Sequence, residues 1–355
     1  LRALLARVRT QVEDDLRTDP YLPYIVLLAG VLCSFWFWHR IPNFATRDEK
    51  SRLLDAMVPM GRMLADPSVE TLQRSVEWSR VPFGPTLYLF GLALLPVLLV
   101  SVLTGDLNAF TGLGFPPDPE FGYYPVWHGT PEWIWTWSLV FVRLFNVAFA
   151  VGAVYLTYRL GTELRDRATG RLAALVLTLT FGFLTIAHEG GEDMPALFFV
   201  LLALYLALRY VQTGERDRFL GASVAGGVAI AFKLTAAPVV LLVAVAHVLR
   251  ARRAGEDWQE VLVRPSLVGG GALLGLLTIG FGFPTLLVGG PELFLERVFG
   301  DPISRATSAT GPPAPIWWWF LRGYFSALAL ALFAAAVAGV VAGVVALYGR
   351  TRTRE

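Results

Sequence analysis

The chain has 355 residues, of which 55% are hydrophobic and 16% are charged, and its formal net charge is +2. A soluble domain carries about 25% charged residues, so this composition excludes an ordinary soluble globular protein and indicates a polytopic membrane protein. The single cysteine, Cys33, excludes an intrachain disulfide, and the sequence contains no P-loop, no Cys-based metal motif, no GxSxG motif and no nucleic-acid-binding module.

Both ends of the chain are polar. Residues 1–21 carry charges throughout, show no cleavable signal peptide and are predicted to be a cytoplasmic segment. Residues 350–355 follow an apolar run and are predicted to be a cytoplasmic tail. A chain that starts without Met and stops just after an apolar run is compatible with trimming at either end.

Residues 22–349 are predicted to form one transmembrane domain. Eight apolar runs are long enough to cross, or nearly cross, a hydrocarbon core of about 30 Å. They are residues 22–38, 137–158, 172–187, 195–208, 219–232, 234–249, 266–288 and 323–348. The predicted fold class is therefore an all-α polytopic membrane protein with a bundle of about eight transmembrane helices.

The positions of the arginines predict the topology, because short Arg-rich connectors face the cytoplasm. Such connectors are residues 159–171, 209–218 and 250–264. These connectors lie on the same side of the membrane as the N-terminus only if Lys233 lies in a tight turn between two short spans. Residues 86–104 must also not form a single membrane crossing, because the following residues 105–142 contain no Lys or Arg and so do not suit a cytoplasmic loop.

The resulting outer loops are residues 40–136, 188–194 and 289–322, together with the Lys233 turn. Pro82, Pro85 and Pro96 favour a broken path through residues 86–104, as a dip into the membrane or as a hairpin with the next segment.

The first outer loop contains a predicted amphipathic helix. Leu53, Met57, Met60 and Leu64 recur at helical spacing, which is typical of a helix lying in the membrane interface. The polar side would carry Arg52, Asp55 and Arg62, and Pro59 would bend the helix.

Asp48 and Glu49 would lie at the start of this helix. There they either stabilise the helix through its dipole or carry chemistry on the outer face.

The second outer loop reads HEGGEDMPALFF and gathers His188, Glu189, Glu192 and Asp193 within six residues. A His with carboxylates can bind a divalent cation, although this is not a recognised ligand spacing, and a metal is not favoured. The alternative is a solvated cap before the next span.

Two basic residues lie in or beside apolar runs. Arg143 is six residues into its run, and Lys233 is the one charge between Arg218 and Arg250. A charge at such depth is a functional candidate by default, and basic groups at an outer rim suit a phosphate. The alternative for Arg143 is a structural ion pair with an outer carboxylate.

The last outer loop holds weaker candidates. Arg297, Arg305 and Arg322 border it, and Trp317, Trp318 and Trp319 are typical of an interfacial aromatic belt. Cytoplasmic connectors of about 8 to 15 residues cannot house a nucleotide-binding domain, so any activity must use a substrate in or outside the membrane.

Six motifs in order carry a resemblance. They are TRDEKSRLLDAM, SRVPFGPTLYLFGLALLP, VFVRLFNVAFAVGAVYLTYRLG, RDRATGRLAALVLTLTFGFLTIA, HEGGEDMPALFFVLLALYLAL and GASVAGGVAIAFKLTAAPVVLL. This order resembles the GT-C membrane glycosyltransferases of family 39, which include protein O-mannosyltransferases and lipid A aminoarabinose transferases.

The resemblance implies a GT-C-type bundle in the cell membrane that takes a sugar from a polyprenyl or dolichyl phosphate on the extracytoplasmic face and passes it, with inversion, to a hydroxyl acceptor. Asp48 would deprotonate that acceptor, and Glu49 would orient it or share the proton. Arg143 and Lys233 would bind the donor phosphate. The substrate-positioning residues would be His188, Glu192 and Asp193.

Two other classes stay open from the residues alone. A transporter or permease also carries intramembrane charges and Gly-rich spans, although no internal repeat is visible. A non-catalytic, GT-C-shaped lipid-binding or assembly protein is the third reading.

Overall fold

The computed structural model describes residues 2–78, 84–115, 123–257, 265–300 and 316–352, and every regular element in these ranges is helical. The helices are α1 Arg2–Thr18, α2 Leu22–Ser34, α3 Arg47–Ala65, α4 Val69–Trp78, α5 Gly84–Thr104, α6 Leu107–Thr111, α7 Tyr123–Gly129, α8 Glu132–Leu164, α9 Arg167–Thr178, α10 Phe181–Ala187, α11 Asp193–Thr213, α12 Arg216–Phe232, α13 Val239–Ala254, α14 Gly270–Gly282, α15 Pro284–Leu287, α16 Gly290–Leu295 and α17 Ile316–Arg352. The predicted all-α class is confirmed.

Four of the described helices are long and apolar enough to cross a membrane: α5, α8, α11 and Leu234–Ala254, which contains α13. A fifth span results if α9 and α10, bent by 65° at residues 179–180, form one crossing. Two apolar helices, Leu22–Ser34 and Ser266–Gly282, are shorter. The membrane class is confirmed, whereas the number of eight spans stays a prediction.

The predicted break in the helical path at Lys233 is confirmed, whereas the assignment of a span to each side of it stays a prediction. Helix α12 ends at Phe232, and Lys233 is extended, with φ −152° and ψ 119°. A single 3₁₀ turn, Leu234–Ala236, leads into α13.

The predicted broken path through residues 86–104 is wrong. These residues lie in one continuous helix, α5, with Pro96 inside it. Pro85 is the second residue of α5, where a missing N–H costs no intrahelical hydrogen bond. Proline inside an apolar helix is tolerated when neighbouring groups satisfy the freed carbonyl. Pro82 lies outside the described residues.

The chain returns from α5 to α3 through the short helix α6. A Cβ added at Gly61 in α3 would lie 2.1 Å from the carbonyl oxygen of Phe110, so only glycine allows this approach. The neighbouring residue, Met60, lies beside Gly91 of α5. Helix α3 therefore packs against both α5 and α6.

The predicted helix in the first outer loop is confirmed, but its polar side does not face solvent as expected. Leu53 and Met57 are fully buried with Phe90 of α5 and Trp135 of α8. Arg52 and Asp55 are also buried, at 8% and 7% exposure. Helix α3 is thus packed on its polar side as well as on its apolar side. Arg52 is buried there because it pairs with Glu192.

Helices α2 and α8 run antiparallel and carry charged clusters at opposite ends. At one end, Asp19 of the chain start accepts from Tyr158 at 2.8 Å and from Arg171 at 2.9 Å. At the other end, Arg143 of α8 donates to the carbonyls that follow α2. The structure therefore places the N-terminal segment beside the connector at residues 159–171.

Candidate functional site

The site is built around the first turn of α3. Thr46 caps the helix by accepting from the backbone N–H of Glu49 at 3.3 Å. Asp48 and Glu49 then lie in the first turn, where the helix dipole favours negative charge. Asp48 is exposed, whereas Glu49 is 0% exposed. The two adjacent carboxylates therefore have different surroundings and cannot share one role.

Glu49 forms a fully buried ion pair with Arg143. The guanidinium Nε and Nη2 donate to the two carboxylate oxygens at 2.7 Å each, and both side chains are 0% exposed. The carboxylate also accepts from the backbone N–H of Ala45 at 2.7 Å and of Gly190 at 2.8 Å. This is the structural ion pair that the sequence left open as the alternative for Arg143.

The same guanidinium fixes the chain after α2. Its Nη1 donates to the carbonyls of Phe37 and His39, at 2.5 and 2.7 Å. The segment contains two non-glycine residues with positive φ, Trp36 at 71° and Arg40 at 63°. Such conformations are strained and persist only where the surroundings hold them. Arg143 is one of the groups that hold this segment.

Asn146, which sequence reasoning missed, fixes the loop between α10 and α11. It lies one turn after Arg143 on the same face of α8 and is 1% exposed. Its Nδ2 donates to the carbonyl of Glu189 and, at 3.2 Å, to that of Gly191. A polar residue three positions from a buried arginine in an apolar run was the available signal.

Arg52 was also missed as a site residue. Its Nε and Nη2 donate to the carboxylate of Glu192 at 2.7 and 2.8 Å, and both side chains are buried. Burial opposes the ionisation of Glu192, but the hydrogen bonds and charge of Arg52 outweigh it and hold the pKa of Glu192 below its ordinary value. A charged Glu192 thus ties the second loop to α3.

Lys233 pairs with Asp193, a contact that the sequence did not predict. The Nζ donates to Oδ1 of Asp193 at the first residue of α11. Their side chains are 31% and 40% exposed, so this pair is accessible to a ligand. Of the three pairs, it alone can exchange its carboxylate for another anion without uncovering a buried charge.

Two more groups of the second loop have perturbed ionisation. Burial, aided by the nearby charge of Arg143, lowers the pKa of His188. Burial, aided by the charge of Glu49, raises the pKa of Glu189. Across the described residues, no group of three or more His, Cys, Asp or Glu side chains is arranged to hold a metal ion.

The weaker candidates of the last loop lie apart from this site. Arg297 donates to the carbonyl of Glu77 at the end of α4, at 3.0 Å. Arg322 is exposed on α17, as are Trp317 and Trp318. Arg305 lies outside the described residues, as do residues 79–83, 258–264 and 353–355.

An apolar groove of about 370 Å³ runs between α12, α13 and α14. It extends from Phe219 and His247 at one end to Ile230 and Ile279 at the other. Ile230 lies three residues before Lys233, whose side chain is 31% exposed. A long apolar groove with a basic residue a few positions beyond one of its lining residues suits a lipid chain that carries a phosphate.

Residues 134–279 match the sequence profile of a family described as dolichyl-phosphate-mannose-protein mannosyltransferase. The matched region is less than half of the chain, and it contains Arg143, the second loop and Lys233 but not Asp48 or Glu49. A comparison with curated proteins gives no match, and a comparison with solved structures gives none either.

The family match and the apolar helices together support a membrane glycosyltransferase. The match of residues 134–279 to this family is consistent with the resemblance to GT-C glycosyltransferases that the six motifs carry.

Proposed function

We propose that the chain transfers a sugar from a polyprenyl or dolichyl phosphate to a hydroxyl acceptor on the extracytoplasmic face of the cell membrane, by a single inverting displacement. The family match supports transfer from such a lipid phosphate to an acceptor. The acceptor is a glycan, a glycolipid or a protein. No observation in the described residues favours a transporter instead.

The observation that carries this proposal is an exposed carboxylate on a rigidly held helix start. Asp48 is accessible, while its neighbour Glu49 is locked to Arg143, and Arg52, one turn further on, is locked to Glu192. A catalytic group needs such support from buried neighbours to keep its geometry. Asp48 is therefore the proposed general base.

In the proposed reaction, Asp48 accepts the proton of the acceptor hydroxyl. The hydroxyl oxygen attacks the anomeric carbon, and the bond from that carbon to the lipid phosphate oxygen breaks. The phosphate leaves with the electron pair, so one bond forms, one breaks and the configuration inverts. General base catalysis of this kind typically contributes about 10²- to 10⁴-fold in rate.

Lys233 is the proposed ligand of the leaving phosphate. Its side chain is partly exposed and lies three residues after Ile230 of the apolar groove, where the polyprenyl chain would bind. As negative charge develops on the phosphate, a fixed cation at this point stabilises the transition state. Release of Asp193 from Lys233 would free that carboxylate to position a substrate hydroxyl.

Arg143 and Glu49 act in this proposal mainly by holding α3 and the second loop. Direct contact of Arg143 with a phosphate would require the guanidinium to leave Glu49, and this predicted contact stays a prediction. Glu192 acts through Arg52. His188 is the remaining proposed positioning residue, and its lowered pKa favours a neutral ring that can donate or accept a hydrogen bond.

The test is transfer from a synthetic lipid-phosphate sugar by purified wild-type protein and the Asp48→Asn variant. We expect the variant to fold normally and to lose at least about a hundredfold in transfer rate. Glu70→Gln is the matched control, because Glu70 is an exposed carboxylate in the first turn of the next helix. Equal rates for Asp48→Asn and wild type would overturn the assignment of the base. Uptake of a solute into vesicles, without consumption of lipid-linked sugar, would overturn the transferase itself.

A further inference from the structure

A second cavity lies beside the candidate site, with a volume of about 200 Å³. It is enclosed by α3, α4, the start of α5 and α15. Most of its wall is apolar, and the polar groups that reach it include Arg52, Asp55, Thr86 and Thr285. At about 30 Å³ per water molecule, this volume corresponds to about seven waters, a size that suits one small polar ring.

Two hydroxyls in this cavity have no partner. Thr86 is 2% exposed and Thr285 is 1% exposed, and Oγ1 of each forms no hydrogen bond within the described part of the chain. Both residues lie in the first turn of their helices, so no carbonyl of the same helix lies four residues earlier. A buried hydroxyl without a partner destabilises the fold, whereas valine would fill the same space without a polar group to satisfy.

Several other buried hydroxyls in the described residues are satisfied locally, whereas Oγ of Ser138 and Oγ1 of Thr162 also form no hydrogen bond there. Thr178 donates to the carbonyl of Ala174 at 2.8 Å, and Ser101 donates to that of Val97 at 2.9 Å. Thr86 and Thr285 differ from Ser138 and Thr162 because both line this one cavity, where a ligand with hydroxyl groups would supply their missing partners.

The cavity shares a helix face with the proposed base. Asp48, Arg52, Asp55 and Pro59 are spaced by four, three and four residues, which places them in one row along α3. The last three line the cavity, and Asp48 lies at the exposed end of the row. The nearest lining residue of α3, Arg52, is thus about one helical turn from the group proposed to take the proton.

We propose that this cavity binds one sugar ring of a reactant. The hydroxyls of Thr86 and Thr285 and the carboxylate of Asp55 would bond the ring hydroxyls, and the apolar wall would pack against the C–H face of the ring. The inference rests on the proposed function. The ring belongs either to the donor or to a glycan acceptor, since the chemistry is the same.

The test removes each hydroxyl at constant volume, in Thr86→Val, Thr285→Val and the double variant. Because a neutral hydrogen bond contributes about 0.5–1.5 kcal/mol, we expect each substitution to raise one KM by about two- to tenfold, with a smaller effect on kcat. A rise in the donor KM places the donor sugar in the cavity, and a rise in the acceptor KM places the acceptor there. Thr178→Val is the matched control, a buried threonine with a satisfied hydroxyl, and should change neither KM.

A second measurement separates this inference from the proposed function. Saturation-transfer NMR would detect free mannose, glucose, galactose or arabinose on the protein in a detergent without a sugar head group. Binding to wild type that is lost in the double variant supports the cavity even if no transfer occurs. No sugar signal in wild type together with unchanged KM values, or a signal that the double variant retains, would overturn the inference.

Discussion

The buried ion pair Glu49–Arg143 and the partly exposed pair Asp193–Lys233 should differ in how much stability is lost when the acid is neutralised. Glu49→Gln keeps the shape of the side chain but leaves the guanidinium of Arg143, at 0% exposure, without a countercharge. Breaking such a buried pair costs about 3–5 kcal/mol. Asp193→Asn breaks a pair whose side chains are 40% and 31% exposed, and pairs of that kind contribute about 0–1 kcal/mol.

These costs convert into a measurable shift of the unfolding temperature. An unfolding entropy of about 2.1 cal/mol/K per residue gives about 0.75 kcal/mol/K for a chain of this length, so 3 kcal/mol corresponds to about 4 °C. Thermal unfolding in detergent, followed by tryptophan fluorescence, should show a loss of at least about 4 °C for Glu49→Gln. Asp193→Asn should lose no more than about 1.5 °C.

A double variant tests the physical reason. Glu49→Leu with Arg143→Met removes both charges and should recover much of the loss, because an apolar pair of similar volume leaves no uncompensated buried charge. Similar shifts for Glu49→Gln and Asp193→Asn would refute this reasoning. A double variant that loses more stability than the two single variants lose in sum would also refute it.

Three further predictions follow from the remaining contacts. Lys233→Met should raise the donor KM in the transfer assay while changing the unfolding temperature by about 1.5 °C or less, since its pair with Asp193 is partly exposed; an unchanged donor KM would argue against the phosphate role. Because the folded pKa of Glu192 lies below its ordinary value of 4.5, its pairing with Arg52 stabilises the fold fully above pH 4.5, and this contribution is lost as the pH falls through the folded pKa. The variant Glu192→Gln should therefore be less stable near neutral pH and show a shallower decline below pH 4.5 in a series of unfolding curves. A topology reporter near Glu120 should lie outside the cell and one near Arg167 inside, and a reporter at Arg167 found outside would rule out the predicted arrangement.

The resemblance to a glycosyltransferase family was predicted from the order of the six motifs along the chain and not from any single motif. Acidic, basic and Gly-rich segments follow one another along the chain, and the family match later covered the region from α8 to α14. The residues outside that match, Asp48 and Glu49, were placed by their position at a helix start. Only the folded chain separated them into an exposed carboxylate and a buried one.

Local properties of the sequence determined the helical class, the break at Lys233 and the helix that begins at Arg47. Hydropathy, a lone charge between apolar runs and a Thr cap before two acids act over a few residues, so they can be read without tertiary contacts. The predicted break in α5 failed because proline signals a break only where neighbouring groups cannot satisfy the freed carbonyl.

The partners of the buried charges were decided by the tertiary structure alone. Glu49 meets Arg143 across 94 residues, and Arg52 meets Glu192 across 140. The helical period of α3 shows that Arg52 lies away from its apolar stripe, but a polar side can face water or an opposite charge. Which of the two it faces depends on the segments that pack there, because the cost of removing a charge from water is offset only by a partner that the fold brings within hydrogen-bonding distance.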